Sequence, residues 1–289
     1  MSAAAEQVIR GLSIWRHQIE LQPLSGGITN LNFRVTDGEA TYAARTGADD
    51  PRLGIDRANE LACTTLAAAA NIAPALVHAD AGVLVSAFIA GTPLTPELAR
   101  DPGRVALVAA AVRTVHGLGA HLTGHLRSFC AFRVARTYLR VAEREGLALP
   151  LDARSDLLRA ELVELEARVA PYLPTFCHND LMPGNFLDTA ERLWVIDWEY
   201  AGIGHPLFDL AGFASNCELD EELERALLTG YGDFDLDAVW PQFKLMKAMA
   251  ALRESLWGVV QGAESSIDFD YAGYRDDNYR KYRAALEVL

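Results

Sequence analysis

Two acidic side chains and one amide lie in a mostly apolar stretch, and their spacing suits phosphoryl transfer. Asp180 and Asn185 share one short segment, and Asp197 directly follows the apolar run from Leu193 to Ile196. A kinase catalytic loop has this Asp-to-Asn spacing; its Asp accepts the proton of the attacking hydroxyl, and its Asn holds a metal ion. Magnesium prefers oxygen ligands, which a carboxylate at a strand end provides. The sequence therefore predicts Asp180 as the catalytic base and Asn185 and Asp197 as magnesium ligands.

A structural role for the same carboxylates is the competing interpretation. Each of Asp180 and Asp197, taken alone, could cap a turn or a strand end. The two are separated by about the length of a β-hairpin, which places one on a loop and the other after a strand. Two unrelated caps explain that arrangement poorly. His178 is expected to fix the loop rather than to take part in the chemistry.

A glycine-containing turn near the N-terminus could cover phosphate groups. It precedes strands predicted at 31–36 and 40–45, which Asp37-Gly38 joins as a hairpin turn. Small residues let backbone N–H groups approach phosphates. An ordinary turn stays open as the alternative, because the glycines do not form a GxGxxG pattern. The predicted nucleotide-binding residues of this turn are Ser25, Gly26, Gly27, Thr29 and Asn30.

A cation that steadies the nucleotide phosphates must be an arginine. Lysine occurs only at positions 244, 247 and 281, so none is available in the N-terminal third. Arg45 at the end of the second strand and Glu60 on the helix predicted at 56–70 form the natural pair, although a surface arginine and a helix-dipole glutamate remain the alternative. The strand predicted at 83–89 then offers backbone near Ser86 and Phe88 to an adenine ring.

Composition excludes several classes of protein. The chain has 289 residues, of which 51% are hydrophobic, so it can bury a substantial core. The net charge of −13 argues against nucleic acid or an anionic membrane as a partner and is compatible with a cationic substrate. No run approaches the roughly 18 apolar residues of a membrane span. Four widely spaced cysteines fit free thiols, and we expect a cytoplasmic protein.

The rest of the chain is predicted to be largely helical. A first helix is expected at 3–15, and others follow at 103–118, 129–145, 153–170, 207–216, 219–230, 237–262 and 271–287. His116, His121 and His125 are close in sequence, but intervening glycines disrupt a shared helix face and disfavour zinc. Glu218 is expected in a solvated acidic helix start, with a role near a cationic substrate as the alternative.

Several of these motifs, taken together, resemble those of a known protein family. His178 to Asn185, followed by Ile196 to Tyr200, is similar to the signature of the aminoglycoside phosphotransferase and choline kinase superfamily. Three further stretches resemble its choline/ethanolamine kinase branch: Ser25 to Asn30, Phe208 to Glu218, and Trp257 to Tyr271. The resemblance covers about residues 24 to 285.

The resemblance implies an α+β, two-lobed, protein-kinase-like fold. A small antiparallel-sheet lobe at 1–89 would bind the nucleotide, and a larger helical lobe at 90–289 would carry catalysis and the acceptor. It implies an ATP- and Mg²⁺-dependent kinase of choline or ethanolamine, and it allows a homodimer. Carried over by position, Asp209 supports the catalytic loop. Two alternatives remain: a kinase of another alcohol or an aminoglycoside, and a nucleotide-binding pseudokinase that acts as a scaffold.

The family holds its trimethylammonium substrate among aromatic rings. Trp257 and Tyr274 match such positions, and Tyr200 is close in sequence to the metal site. Ring faces suit a quaternary ammonium because that group has no hydrogen to donate. Glu254 replaces a tryptophan that the family often has, which leaves open whether the acceptor is choline or ethanolamine. Core packing of Trp257 and Tyr274 is the alternative interpretation.

Overall fold

The fold divides into a small β-sheet region and a larger helical region, as predicted for an α+β protein. The computed structural model describes residues 2–24, 30–80, 82–121, 124–232, 235–265 and 267–289. No helix within these ranges is long and apolar enough to cross a membrane.

An antiparallel five-stranded sheet forms most of the N-terminal region, in the order β1-β2-β3-β5-β4. Its strands are β1 (Glu20–Pro23), β2 (Leu31–Asp37), β3 (Ala40–Thr46), β4 (Leu76–Asp80) and β5 (Val83–Ala87). Helix α1 (Ser2–Arg10) packs on it, and Ile9 joins Phe33, Val35 and Val85 in a separate small core. The predicted first helix was five residues too long at its C-terminal end, where Gly11 interrupts it.

Helix α2 (Arg57–Ala69) faces the helical region rather than only the sheet. It starts at Asp56, whose side chain accepts a hydrogen bond from the backbone N–H of Asn59, a standard N-cap. Its buried residues Cys63 and Ala67 belong to the larger core. The sheet region and the helical region are therefore packed together through this helix.

The larger region surrounds one long helix, α9, which is buried without interruption from Ala248 to Val260. The helices of this region are α3 (Pro96–Ala99), α4 (Pro102–Gly117), α5 (Ala131–Glu145), α6 (Ser155–Glu166), α7 (Pro206–Asn216), α8 (Glu221–Tyr231), α9 (Leu236–Gly262) and α10 (Tyr271–Leu286). Short strands carry the polar motifs: β6 (Thr92–Pro93) pairs with β8 (Phe186–Asp188), β8 with β9 (Leu193–Val195), and β7 (Thr175–Cys177) with β10 (Gly202–Gly204).

Candidate active site

The loop that carries Asp180 is fixed by a buried carboxylate on the first turn of α7. Asp209 accepts hydrogen bonds from two consecutive backbone N–H groups, those of His178 at 2.7 Å and Asn179 at 2.6 Å. The Asp209 side chain is fully buried, and its negative charge is stabilised by these donors. The geometry is that of a loop anchor, the role that the resemblance implied for Asp209.

A histidine that the sequence offered only as a poor zinc candidate completes this anchor. His116 Nε2 lies 3.0 Å from Asp209 Oδ2, and its Nδ1 lies 2.8 Å from the hydroxyl of Tyr231. Cys177 lies close enough to suggest a three-residue metal site. Burial, however, raises the pKa of the Cys177 thiol well above its usual range, so it is a poor metal ligand. The hydrogen bonds of Asp209 indicate a structural role for this cluster.

Backbone and side-chain bonds hold the three predicted reacting residues in one unit. His178 Nε2 lies 2.9 Å from the carbonyl oxygen of Ile196, the residue before Asp197. Asn185 donates from its side chain to the Asp180 carbonyl oxygen at 2.9 Å, and its own carbonyl accepts from Ile196 N at 2.9 Å. His178 therefore fixes the loop against the strand end that precedes Asp197.

Asp197 has the properties expected of a residue that binds a cation. Its backbone lies in the left-handed region with φ of 66°, a conformation that non-glycine residues adopt mainly under constraint. Its buried Oδ1 has no hydrogen-bond partner among the described residues. Burial, followed by the negative charge of Glu199, raises the pKa of Asp197 well above its usual value. A divalent cation would compensate for this burial, and Asn185 offers it an uncharged oxygen nearby in the chain.

Arg45 reaches both the helix and the predicted metal site. It forms an ion pair with Glu60 on α2, and its Nη1 lies 3.7 Å from both Asp197 Oδ1 and Glu199 Oε2. The guanidinium is largely buried, with 13% of the side chain exposed. A buried arginine among three carboxylates gives a cation fixed beside Asp197, one of the predicted metal ligands.

A second arginine in this cluster was missed by the sequence analysis. Arg57 Nη1 donates to Glu60 Oε2 at 2.8 Å and to Glu199 Oε2 at 3.0 Å, and its Nη2 donates to Asn30 Oδ1 at 2.8 Å. Asn30 also donates to Glu199 at 2.9 Å. The i,i+3 spacing of Arg57 and Glu60 was a usable signal. The contact between Arg57 and Glu199 joins residues 142 positions apart, and no local pattern in the sequence indicates it.

The remaining nucleotide-side predictions lie along the sheet or outside the described residues. Ser86 is on β5, paired with Ala43 of β3, and the backbone N–H of Phe88 donates to Thr41 O at 3.2 Å. Both are half-buried at the start of the connection to the helical region. Ser25, Gly26, Gly27 and Thr29 fall outside the described residues.

Arg253 on α9 links the predicted base to the predicted acceptor residues and was also missed. Its Nη1 donates to Asp180 Oδ1 at 2.8 Å and to Glu254 Oε1. Only 2% of its side chain is exposed. Burial raises the pKa of Asp180 to about 7, and Arg253 acts in the opposite direction. Arg253 directly precedes Glu254, the position at which the family often has a tryptophan.

The four predicted acceptor residues are brought together. Tyr274 donates from its hydroxyl to Glu254 Oε2 at 2.7 Å, and Trp257 Nε1 donates to the Tyr200 hydroxyl at 3.1 Å. The rings of Trp257 and Tyr274 meet edge to face, with centroids 5.8 Å apart. Glu218, by contrast, pairs with Lys281 at 2.8 Å, with 57% of its side chain exposed.

Known proteins resemble this chain over most of its length. The sequence pattern of the phosphotransferase enzyme family matches residues 20–245. A probable ethanolamine kinase from Arabidopsis thaliana is 25% identical over 295 residues, which span 91% of this chain and 78% of that protein.

Solved structures of known proteins share the fold of this chain. A choline/ethanolamine kinase family protein from Mesorhizobium loti is 30% identical, with a TM-score of 0.80 over 99% of this chain and 95% of that one. Choline kinase LicA from Streptococcus pneumoniae shares the fold, with a TM-score of 0.79 at 21% identity over 100% of this chain and 99% of its own. These likenesses confirm the predicted protein-kinase-like fold.

Proposed function

The chain belongs to the phosphotransferase enzyme family and, within it, to the choline/ethanolamine kinase family, and we propose that this ATP-dependent kinase phosphorylates the hydroxyl group of choline or ethanolamine. One observation carries the choice of acceptor. Arg253 connects Asp180 to Glu254, and Glu254 contacts Tyr274, which packs on Trp257. The proposed base and a carboxylate-and-ring pocket suited to a small cation thus form one connected group.

The proposed roles follow from these positions. Asp180 accepts the proton of the acceptor hydroxyl as the phosphoryl group is transferred. Asn185 and Asp197 would hold Mg²⁺, which neutralises charge on the phosphate oxygens when bound. Arg45, steadied by Glu60, stabilises the nucleotide phosphates.

The proposed nucleotide site also includes the sheet-side residues. It comprises Ser25, Gly26, Gly27, Thr29, Asn30, Ser86 and Phe88. We place the nucleotide lobe at 1–89 and the catalytic and acceptor lobe at 90–289. All four cysteines are free thiols, which supports a cytoplasmic location.

A panel of alcohols in a coupled ADP-release assay tests the acceptor. We expect turnover with ethanolamine or choline, and at most background rates with an aminoglycoside, homoserine, thiamine or a sugar. The carboxylate-and-ring pocket gives a small cation its partners, whereas large polyols would require several acidic and amide groups. Turnover confined to an aminoglycoside or another alcohol of the panel would replace the proposed acceptor and leave the kinase chemistry in place.

Replacing Arg57 should weaken ATP binding selectively. Arg57→Met leaves Glu60 and Glu199 without one of their cations and releases Asn30, which adjoins the proposed nucleotide turn. We expect the KM for ATP to rise about 10-fold, the usual scale for losing a charge-assisted hydrogen bond. Initial rates over a grid of ATP and acceptor concentrations measure both KM values.

Arg154→Met is the matched control, since that side chain is 66% exposed and pairs with Asp156, two residues away. It should leave both KM values unchanged. Equal rises in the KM values for ATP and the acceptor in Arg57→Met would contradict a nucleotide-side role for Arg57.

A further inference from the structure

The positively charged guanidinium of Arg253 lies inside the proposed acceptor pocket. Its Nη1 bonds both Asp180 and Glu254, and its guanidinium carbon lies 4.3 Å from the centre of the Tyr200 ring. Its Nε and Nη2 have no hydrogen-bond partner among the described residues. A buried guanidinium is tolerated only when it is paired, and here two carboxylates pair with it.

The aromatic surfaces that would hold a quaternary ammonium are already in use. Arg253 covers one face of Tyr200. Trp257 is only 3% exposed and packs against Tyr271 and Tyr274, with centroid distances of 6.0 and 5.8 Å. A trimethylammonium group relies on ring faces because it has no N–H to donate. A trimethylammonium group would therefore not find a complete set of free ring faces in this pocket.

The pocket offers more to an ammonium that carries hydrogens. Glu254 accepts one hydrogen bond at Oε1 from Arg253 and one at Oε2 from Tyr274, and each oxygen of an ionised carboxylate has lone pairs to accept a second. Within the described residues, no donor bonds Oδ2 of Asp180. Asp180, Arg253 and Glu254 together carry a formal charge of −1, which one monovalent cation neutralises.

From these contacts we infer that Arg253 determines the acceptor class, so that the pocket favours amino alcohols whose ammonium carries N–H over quaternary ones. The inference rests on the proposed function. Arg253 positions Asp180 for the hydroxyl end of the acceptor and Glu254 for the ammonium end. Because both carboxylates bond the same nitrogen atom, they lie close enough for a two-carbon amino alcohol to reach both.

The methylation series from ethanolamine through N-methyl- and N,N-dimethylethanolamine to choline tests this inference. In the unmodified enzyme, kcat/KM should fall along the series, with choline about 10- to 100-fold below ethanolamine, the scale of a lost hydrogen bond to a charged group. An equal or higher kcat/KM for choline overturns the inference alone. Turnover with none of the four overturns the proposed function as well.

Arg253→Met and Arg253→Lys identify the residue responsible. Methionine removes the cation and frees the Tyr200 face, so the choline-to-ethanolamine ratio of kcat/KM should rise about 10-fold, within the range of a cation–π contact. Lysine keeps a cation and should hold the ratio near its original value. Arg144→Met, at a side chain 66% exposed at the end of α5, is the control.

The ratio separates selectivity from simple damage to the fold. If Arg253→Met lowers kcat/KM equally for all four acceptors, Arg253 is structural and the inference is wrong. If that variant does not fold, the methylation series in the unmodified enzyme and the ratio in Arg253→Lys still decide: a choline preference in either overturns the inference.

Discussion

Asp180→Asn is expected to lower kcat by about 10²- to 10⁴-fold, the range attributed to a general base, while ATP still binds. Asparagine keeps the size of the side chain and an oxygen that can accept from Arg253 Nη1, so the loop geometry should persist. It cannot take a proton from the acceptor hydroxyl. Single-turnover rates with the preferred acceptor give the chemical step, and calorimetry gives the affinity for ATP.

Asp156→Asn provides the control for the Asp180 variant, because this carboxylate is 63% exposed at the start of α6 and pairs with its near neighbour Arg154. It should match the unmodified enzyme in rate and in ATP affinity. A kcat near normal in Asp180→Asn would remove Asp180 from the role of base. Loss of ATP binding together with turnover would indicate damage to the loop instead.

Most of the fold was predictable because its elements carry their own signals. The hairpin of β2 and β3 alternates around Asp37-Gly38, and the long helices have clear apolar patterns. The strands β1 and β4 were missed. Both lie at the edges of the sheet, and their residues are mostly exposed or half-buried, so neither shows the alternation that identifies a strand.

The candidate site was predictable only where its residues lie in local motifs. Asp180, Asn185 and Asp197 lie within one segment, so their spacing was visible. The contact between Arg253 and Asp180 joins residues 73 positions apart, and only the packing of α9 beneath the catalytic loop brings them together. His116 shows the same limit: the sequence correctly disfavoured zinc at this histidine but gave no sign of its partners in space, Asp209 and Tyr231.

Buried charge in excess of local partners is a common feature of both halves of the site. Glu60, Asp197 and Glu199 share the cations Arg45 and Arg57, and Asp180 and Glu254 share Arg253. Each group has one more carboxylate than arginine. Buried carboxylates are costly unless paired, so each group favours the arrival of a cation. A metal ion suits the first group, and the acceptor ammonium suits the second.

Asp197→Asn removes the extra carboxylate of the first group, and we expect this change to lower activity without lowering stability. Turnover is expected to fall about 100- to 1000-fold, because metal stabilisation of transferring phosphate is worth several kcal/mol. Without ligands, the melting temperature should equal or exceed that of the unmodified protein. Asparagine removes a partly buried negative charge beside Glu199, and it tolerates the left-handed backbone at this position better than most residues.

Thermal melting with and without Mg²⁺ and ATP tests both parts of this expectation. The unmodified protein should gain stability from the pair of ligands, since they bind the folded state, and Asp197→Asn should gain much less. Asp277→Asn is the control, at a carboxylate that is 68% exposed and paired with Arg280. An unliganded Asp197→Asn protein that melts well below the original would show that Asp197 supports the fold. A full gain from Mg²⁺ and ATP at near-normal turnover would remove Asp197 from the proposed metal site.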